Sequence, residues 1–282
     1  MIKFFAGAAI ALMASTAAFA QEEPTSPFTV TGSAALVSDY RFRGVSQTDE
    51  EMAIQGGFTV SHESGAYAGV WGSNLSGWGT FGGANMELDL VAGYAVSVGD
   101  ATIDVGLTWY MYPGGADKTD FAEPYIKVSG MAGPVKLLAG VAYAPKQEAL
   151  GKVYFTGQNY VDVADGIDTP DDPGDKEDNL YLWGDVSGGI PETPITLKGH
   201  LGFSSGNSGL GPNGTSVAPT GEYWDWLIGA DVAVGPVTLG VAYVDTSISW
   251  DDSRYLQPNF SSTKTGKAIA GPQVVFSASV AF

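Results

Sequence analysis

The sequence predicts an all-β fold, a transmembrane antiparallel up-and-down β-barrel of about twelve strands. Three observations predict it. Apolar residues recur with a period of two, short turns alternate with long loops, and the chain begins like an exported protein.

The first twenty residues read as an export signal. Lys3 supplies a positive start, Phe4 to Met13 an apolar run, and Ala18-Phe19-Ala20 small residues before a cut. The mature domain is then expected at 21–282. The apolar run is too short for a bilayer-spanning helix. No later segment has eighteen uncharged apolar residues, so any membrane crossing must use strands.

Beyond Gln21 the alternation is clear. Met86, Leu88, Leu90, Ala92, Tyr94 and Val96 share one face, and Glu87, Asp89, Val91, Gly93, Ala95 and Ser97 the other. Gly99-Asp100 follows as a hairpin turn. The same reading predicts strands over 29–40, 52–62, 65–75, 84–98, 101–112, 120–130, 134–145, 178–188, 194–205, 221–234, 236–247 and 271–282. Proline opens two of them, after Gly133 and after Gly235, where a missing ladder donor does no harm.

The connections sort by length. Short turns fall at 63–64, 99–100, 131–133, 189–193 and 235. Long loops fall at 41–51, 76–83, 113–119, 146–177, 206–220 and 248–270. Outer-membrane barrels carry short periplasmic turns and longer external loops. Trp71, Trp109, Tyr112, Phe121, Tyr143, Phe203, Trp224, Trp226 and Tyr243 lie toward the long-loop ends and predict an interfacial girdle there. Phe58, Tyr67, Tyr94, Phe276 and Phe282 make a weaker second one. The chain ends on Phe282, with Val280, Ala278, Phe276 and Val274 on one apolar face. A final strand of this form resembles the signal read by the barrel-insertion machinery.

Composition excludes several functions. The formal charge of −18, from 13 Lys+Arg against 31 Asp+Glu, argues against a nucleic-acid partner. Absence of Cys removes disulfides, thiol catalysis, thiolate metal sites and lipoprotein acylation together. There is no phosphate-cradling loop, zincin pattern or dinucleotide fingerprint, so no cofactor is expected.

Ser38-Asp39-Tyr40-Arg41-Phe42-Arg43-Gly44-Val45-Ser46-Gln47, Ile54-Gln55-Gly56-Gly57-Phe58 and Tyr67-Ala68-Gly69-Val70-Trp71-Gly72-Ser73-Asn74 form a distinctive block. It resembles the opening of the TorF-type family of porin-like proteobacterial proteins. The resemblance implies a porin-like barrel in the outer membrane of a Gram-negative bacterium. It implies no particular solute. The insert at 146–177 is longer than is usual in that family.

Polar positions of a narrow barrel point into the lumen. The pore-lining candidates are Asp39, Arg41, Arg43, Glu87, Asp89, Asp104, Glu123, Lys127, Lys136, Asp185, Lys198, His200, Asp225 and Asp231. Eight acids stand against five Lys or Arg, which would favour cations. Twelve tilted strands give a backbone diameter of about 24 Å, room for a small-solute pore or for side chains that fill it. Arg41 and Arg43 are expected opposite Glu87 and Asp89, either as a constriction with a transverse field or as ion pairs plugging the lumen.

The acidic stretch 162–178, with Lys176 its only base, reads as an open, solvated external loop. Bridging through cations to lipopolysaccharide is the alternative use. His62 reads as a turn residue. Ser204 follows His200 by four residues, about 13 Å along a strand, too far for a direct catalytic bond. An enzyme is therefore not expected. The sequence leaves a passive channel for small hydrophilic solutes or ions, or a closed barrel acting at its loops through adhesion or recognition, with an outer-membrane hydrolase using His200 and a Ser from another strand a distant third. Its partners would be outer-membrane lipid and lipopolysaccharide.

Overall fold

Neighbouring strands of the chain pair with one another all the way round until the last meets the first. The computed structural model describes residues 26–80, 83–214, 221–251 and 260–282. Residues 1–25, which include the export signal, and parts of three long loops lie outside the described residues. The strands are β1 (Phe28–Val37), β2 (Arg41–Phe42), β3 (Val45–Ser46), β4 (Ala53–His62), β5 (Ala66–Asn74), β6 (Met86–Val98) and β7 (Ala101–Met111). They continue with β8 (Phe121–Ala132), β9 (Val135–Gln147), β10 (Glu177–Gly189), β11 (Ile195–Ser205), β12 (Glu222–Val234), β13 (Val237–Thr246) and β14 (Gln273–Ala281). One helix, α1 (Gly157–Ala164), lies between β9 and β10.

Strand β1 with β4 through β14 makes a closed barrel of twelve antiparallel strands, and β2–β3 a separate two-stranded hairpin. The predicted strands all form, with ends shifted by at most three residues. Closure runs through Ala34 opposite Val280 and Leu36 opposite Ala278. Just beyond β14, the Phe282 N–H donates to Gly32 O at 3.0 Å and the Gly32 N–H donates to Phe282 O at 2.7 Å. A closed barrel leaves no sheet edge to satisfy, the condition for crossing a bilayer with strands.

The turns explain the tight connections. Gly99, Gly133 and Gly235 have φ near +60°, a conformation that costs glycine nothing and other residues about 1–2 kcal/mol. The outer wall is apolar. Ile54, Val30, Phe58, Leu90, Val105 and Ile228 all point out and are exposed, Ile228 by 70%. A continuous apolar band of this kind is stable against lipid and not against water.

Several predicted girdle residues do not face lipid. Trp109, Tyr143, Trp224 and Tyr243 do, each more than 40% exposed. Trp71, Tyr112 and Phe121 instead turn inward and join, or pack on, the largest buried cluster, and Tyr67 bonds inside the lumen. They occupy inward positions of the alternation, where an aromatic ring packs against loops folded into the mouth. That cluster, which includes Tyr40, Val45, Tyr110, Phe121, Leu210 and Ile269, sits at the long-loop end, so the mouth is where the molecule has its core.

The acidic insert is also not an open loop. Thr156 caps α1, accepting a hydrogen bond from the Asn159 N–H at 3.0 Å. Asp171 accepts from the Phe155 N–H at 2.7 Å, and Asp175 from the Lys152 N–H at 2.9 Å. Tyr154 and Leu210 bind each other's backbone, tying the insert to the loop after β11. Asp171 and Asp175 are used to fold the segment, while Asp165, Asp168 and Asp172 stay exposed as expected.

Candidate functional site

The segment 38–52 leaves β1, turns back inside the barrel as β2–β3, and rejoins the wall at β4. Its register pairs Arg41 with Ser46 and Phe42 with Val45 around the turn Arg43-Gly44. Both turn residues have positive φ, 48° for Arg43 and 80° for Gly44, the pattern of a tight two-residue hairpin. A bulky residue at the first of these positions is strained. Its side chain supplies the reason for it. The Arg43 Nη2 donates to both oxygens of Glu123 on β8, at 2.6 and 2.8 Å, and the Tyr110 hydroxyl donates to the same carboxylate at 3.2 Å. The guanidinium lies over the Tyr181 ring, 4.1 Å from its centroid.

Arg41 is fully buried. Its Nε donates to Asp39 at 2.5 Å, and its Nη1 donates to the carbonyls of Gly44, Ile269 and Gly271 at 3.0, 2.9 and 3.0 Å. The Ser46 N–H adds a bond to Ile269 O at 3.0 Å. Asp49 accepts from the Thr263 N–H at 3.0 Å and from its hydroxyl at 2.6 Å. The first loop is thus fastened to the last one as well as to the wall. Burial pushes the Glu50 carboxyl up, and the neighbouring Arg41 pulls it back.

The expected pairing of Arg41 and Arg43 with Glu87 and Asp89 is corrected. Arg43 meets Glu123, and Arg41 meets Asp39. Glu87 and Asp89 are buried on β6 beside Tyr40 and Tyr112. Those two phenols stay protonated, pushed up first by burial and then by the two carboxylates. The reason for the difference is position around the ring: β8, not β6, lies where the tip of the hairpin arrives.

Below the hairpin a cavity of about 140 Å³ remains. Its charges come in pairs. Lys127 Nζ is 3.1 Å from Asp104, and Lys198 Nζ is 2.7 Å from Asp231. His200 sits between two acids, Nδ1 2.6 Å from Asp185 and Nε2 3.2 Å from Asp225, with the Tyr181 hydroxyl 2.9 Å from Nε2. Lys136 faces inward on β9, half-buried. Tyr67 donates to Asp104 at 2.6 Å and touches the Tyr125 hydroxyl.

The charged candidates were readable from alternation. The aromatic lining was not. Tyr67, Tyr125 and Trp183 are direct cross-strand partners of Gly93, Gly106 and Gly140. Each ring lies where a Cβ on that glycine would be, flat against the inner wall. An inward aromatic opposite an inward glycine is the signal that could have found them. Ser204 bonds Asn179 and is not a partner of His200.

These features define a class, a transmembrane β-barrel of the outer-membrane type with loops folded into its mouth. A family model described as "Bacterial protein of unknown function (Gcw_chp)" matches residues 21–282, and the chain belongs to that family. No curated protein matches. Among solved structures the chain is similar to a porin refined at 1.8 Å, with 10% identity, 90% of this chain and 100% of that one covered, and a TM-score of 0.40. It is similar to Salmonella typhi OmpF in complex with daunomycin, with 10% identity, coverage of 90% and 97%, and a TM-score of 0.43. It is also similar to the translocator domain of the autotransporter NalP from Neisseria meningitidis, with 10% identity, coverage of 90% and 88%, and a TM-score of 0.44.

Proposed function

We propose that this barrel is an outer-membrane channel for small hydrophilic solutes or ions, held shut at rest by the β2–β3 hairpin. Arg41 and Arg43 are its latch. The observation that carries the reading is the strained turn at Arg43-Gly44, which spends backbone energy to aim one guanidinium across the lumen at Glu123. A barrel that only needed filling could use apolar side chains on unstrained backbone.

Five further points support it. The lumen below the hairpin is hollow and carries paired charged side chains on its lining. The hairpin is held by side-chain and loop contacts outside the barrel ladder, so it can leave without opening the wall. Arg43 Nη1 is buried without a hydrogen-bond partner, a penalty of about 1–3 kcal/mol that displacement would relieve. The acids among the lumen candidates outnumber Lys and Arg, so ions passing the open state would be mainly cations. The resemblance of the block 38–74 to TorF-type porins points the same way. We read the protein as a channel and not an enzyme.

Planar-bilayer recording tests this. Wild type should be silent for long intervals with rare discrete openings. Arg41→Ala/Arg43→Ala should open often. Steady conduction by wild type would sink the latch. A folded double variant that stays silent would favour the second reading, a closed barrel acting through its external loops. The ordered insert at 148–176 and the buried core at the mouth favour that reading.

A further inference from the structure

The charges lining the cavity below the hairpin are mostly paired with one another. Selective ion pores present rings of one sign of charge. Here each basic group on the cavity is already held by a carboxylate: Arg41 by Asp39, Arg43 by Glu123, Lys127 by Asp104, Lys198 by Asp231, and His200 by Asp185 and Asp225. Only the His200 site, one imidazole between two carboxylates, keeps a surplus of charge. The pairs still offer donors and acceptors at fixed positions. A carboxylate has about four acceptor sites and an ammonium three donors, and one salt bridge uses only part of each.

The second observation is Trp183. It lies flat on the wall over Gly140, its direct cross-strand partner. Tyr181 stacks beside it, centroids 5.5 Å apart at 21°. The Tyr181 ring is covered by the Arg43 guanidinium, whereas Trp183 is half-buried and lines the cavity. The indole therefore presents one rigid apolar face, ringed by charge-paired hydrogen-bonding groups. An apolar face with a few convergent polar groups is the usual make-up of a small-molecule site. The molecule that matches it has a flat C–H face, hydroxyls around its edge and no net charge.

We propose that this cavity is a binding site for a small neutral polyhydroxylated solute of the monosaccharide class. Its ring face rests on Trp183, and its hydroxyls bond to the Asp185–His200 and Lys198–Asp231 pairs. A volume of about 140 Å³ is room for about ten water-sized positions, which suits one pyranose and not a disaccharide. The inference rests on the channel reading for why a solute reaches the lumen. Binding itself does not require the hairpin to leave.

The test is equilibrium binding to the refolded mature chain in detergent, by calorimetry, with glucose as the probe and gluconate and glucosamine as its charged counterparts. Glucose should saturate at millimolar concentration and bind better than either. Trp183→Leu should weaken glucose roughly tenfold, through loss of the aromatic face. Trp224→Leu, on the lipid face, should not. Heat-modifiable migration on a gel shows that each variant is a folded barrel. Equal or tighter binding of a charged analogue, unchanged affinity in Trp183→Leu, or no saturable glucose binding by the folded chain would each overturn the proposal. Saturable glucose binding by a barrel that never conducts would uphold this site and sink the channel reading. Conduction without glucose binding would do the reverse.

Discussion

Arg43 concentrates the argument at the residue scale. It occupies a left-handed backbone position, lies over an aromatic ring, and forms a buried ion pair with a residue 80 positions away. Removing one partner of a buried pair leaves the other charge stranded, at a cost of about 3–5 kcal/mol. Arg43→Ala and Glu123→Ala should therefore each loosen the hairpin strongly. The double variant should be less damaged than the two effects added. Denaturant titrations of all four proteins, with protease cleavage within 38–52 as a local probe, measure the coupling. Additive effects would mean that Arg43 and Glu123 do not act as a pair. Sequence showed both residues as inward charges but not their pairing. Charge and alternation give the face a residue takes, while partnership depends on how far around the ring a loop reaches.

At the scale of elements, the wall and the loops were unequally legible. Every strand of the wall was readable because a strand between lipid and lumen must alternate, and its turns hold glycine or proline. The β2–β3 hairpin was not recognised, although Arg43-Gly44 has the shape of a turn signal. Two-residue strands are too short for periodicity to mark them. The inward aromatics were assigned to the girdle because Trp and Tyr satisfy an interface and a packed mouth equally well. Tyr112 and Phe121 differ from Trp109 only in which side of the strand they occupy. In the insert, the acids were read by charge alone, and their use as backbone acceptors depends on a fold that charge does not encode. One consequence is local. Thr156→Ala should remove the α1 cap, with a cost of about 1 kcal/mol confined to the insert. Limited proteolysis should then cut near 157–164 faster while the barrel keeps its heat-modifiable migration. A lower barrel stability would show instead that the insert braces the wall.

For the whole molecule, two systems are superposed. A closed ladder of twelve strands provides stability in lipid, and it is complete without the first loop. Inside it, a separate hairpin and the external loops make a core at one end and leave a cavity below. A wall whose ladder closes without its plug permits the plug to move, and that separation is what the channel account requires. The most direct measurement is single-channel conductance of the wild-type barrel beside one in which 41–46 is replaced by a short glycine linker. The account predicts a mostly silent wild type and a steadily conducting shortened barrel, with a reversal potential under a salt gradient of the sign expected for cations. A shortened barrel that is folded and remains silent, or a wild type that conducts equally well, would contradict it.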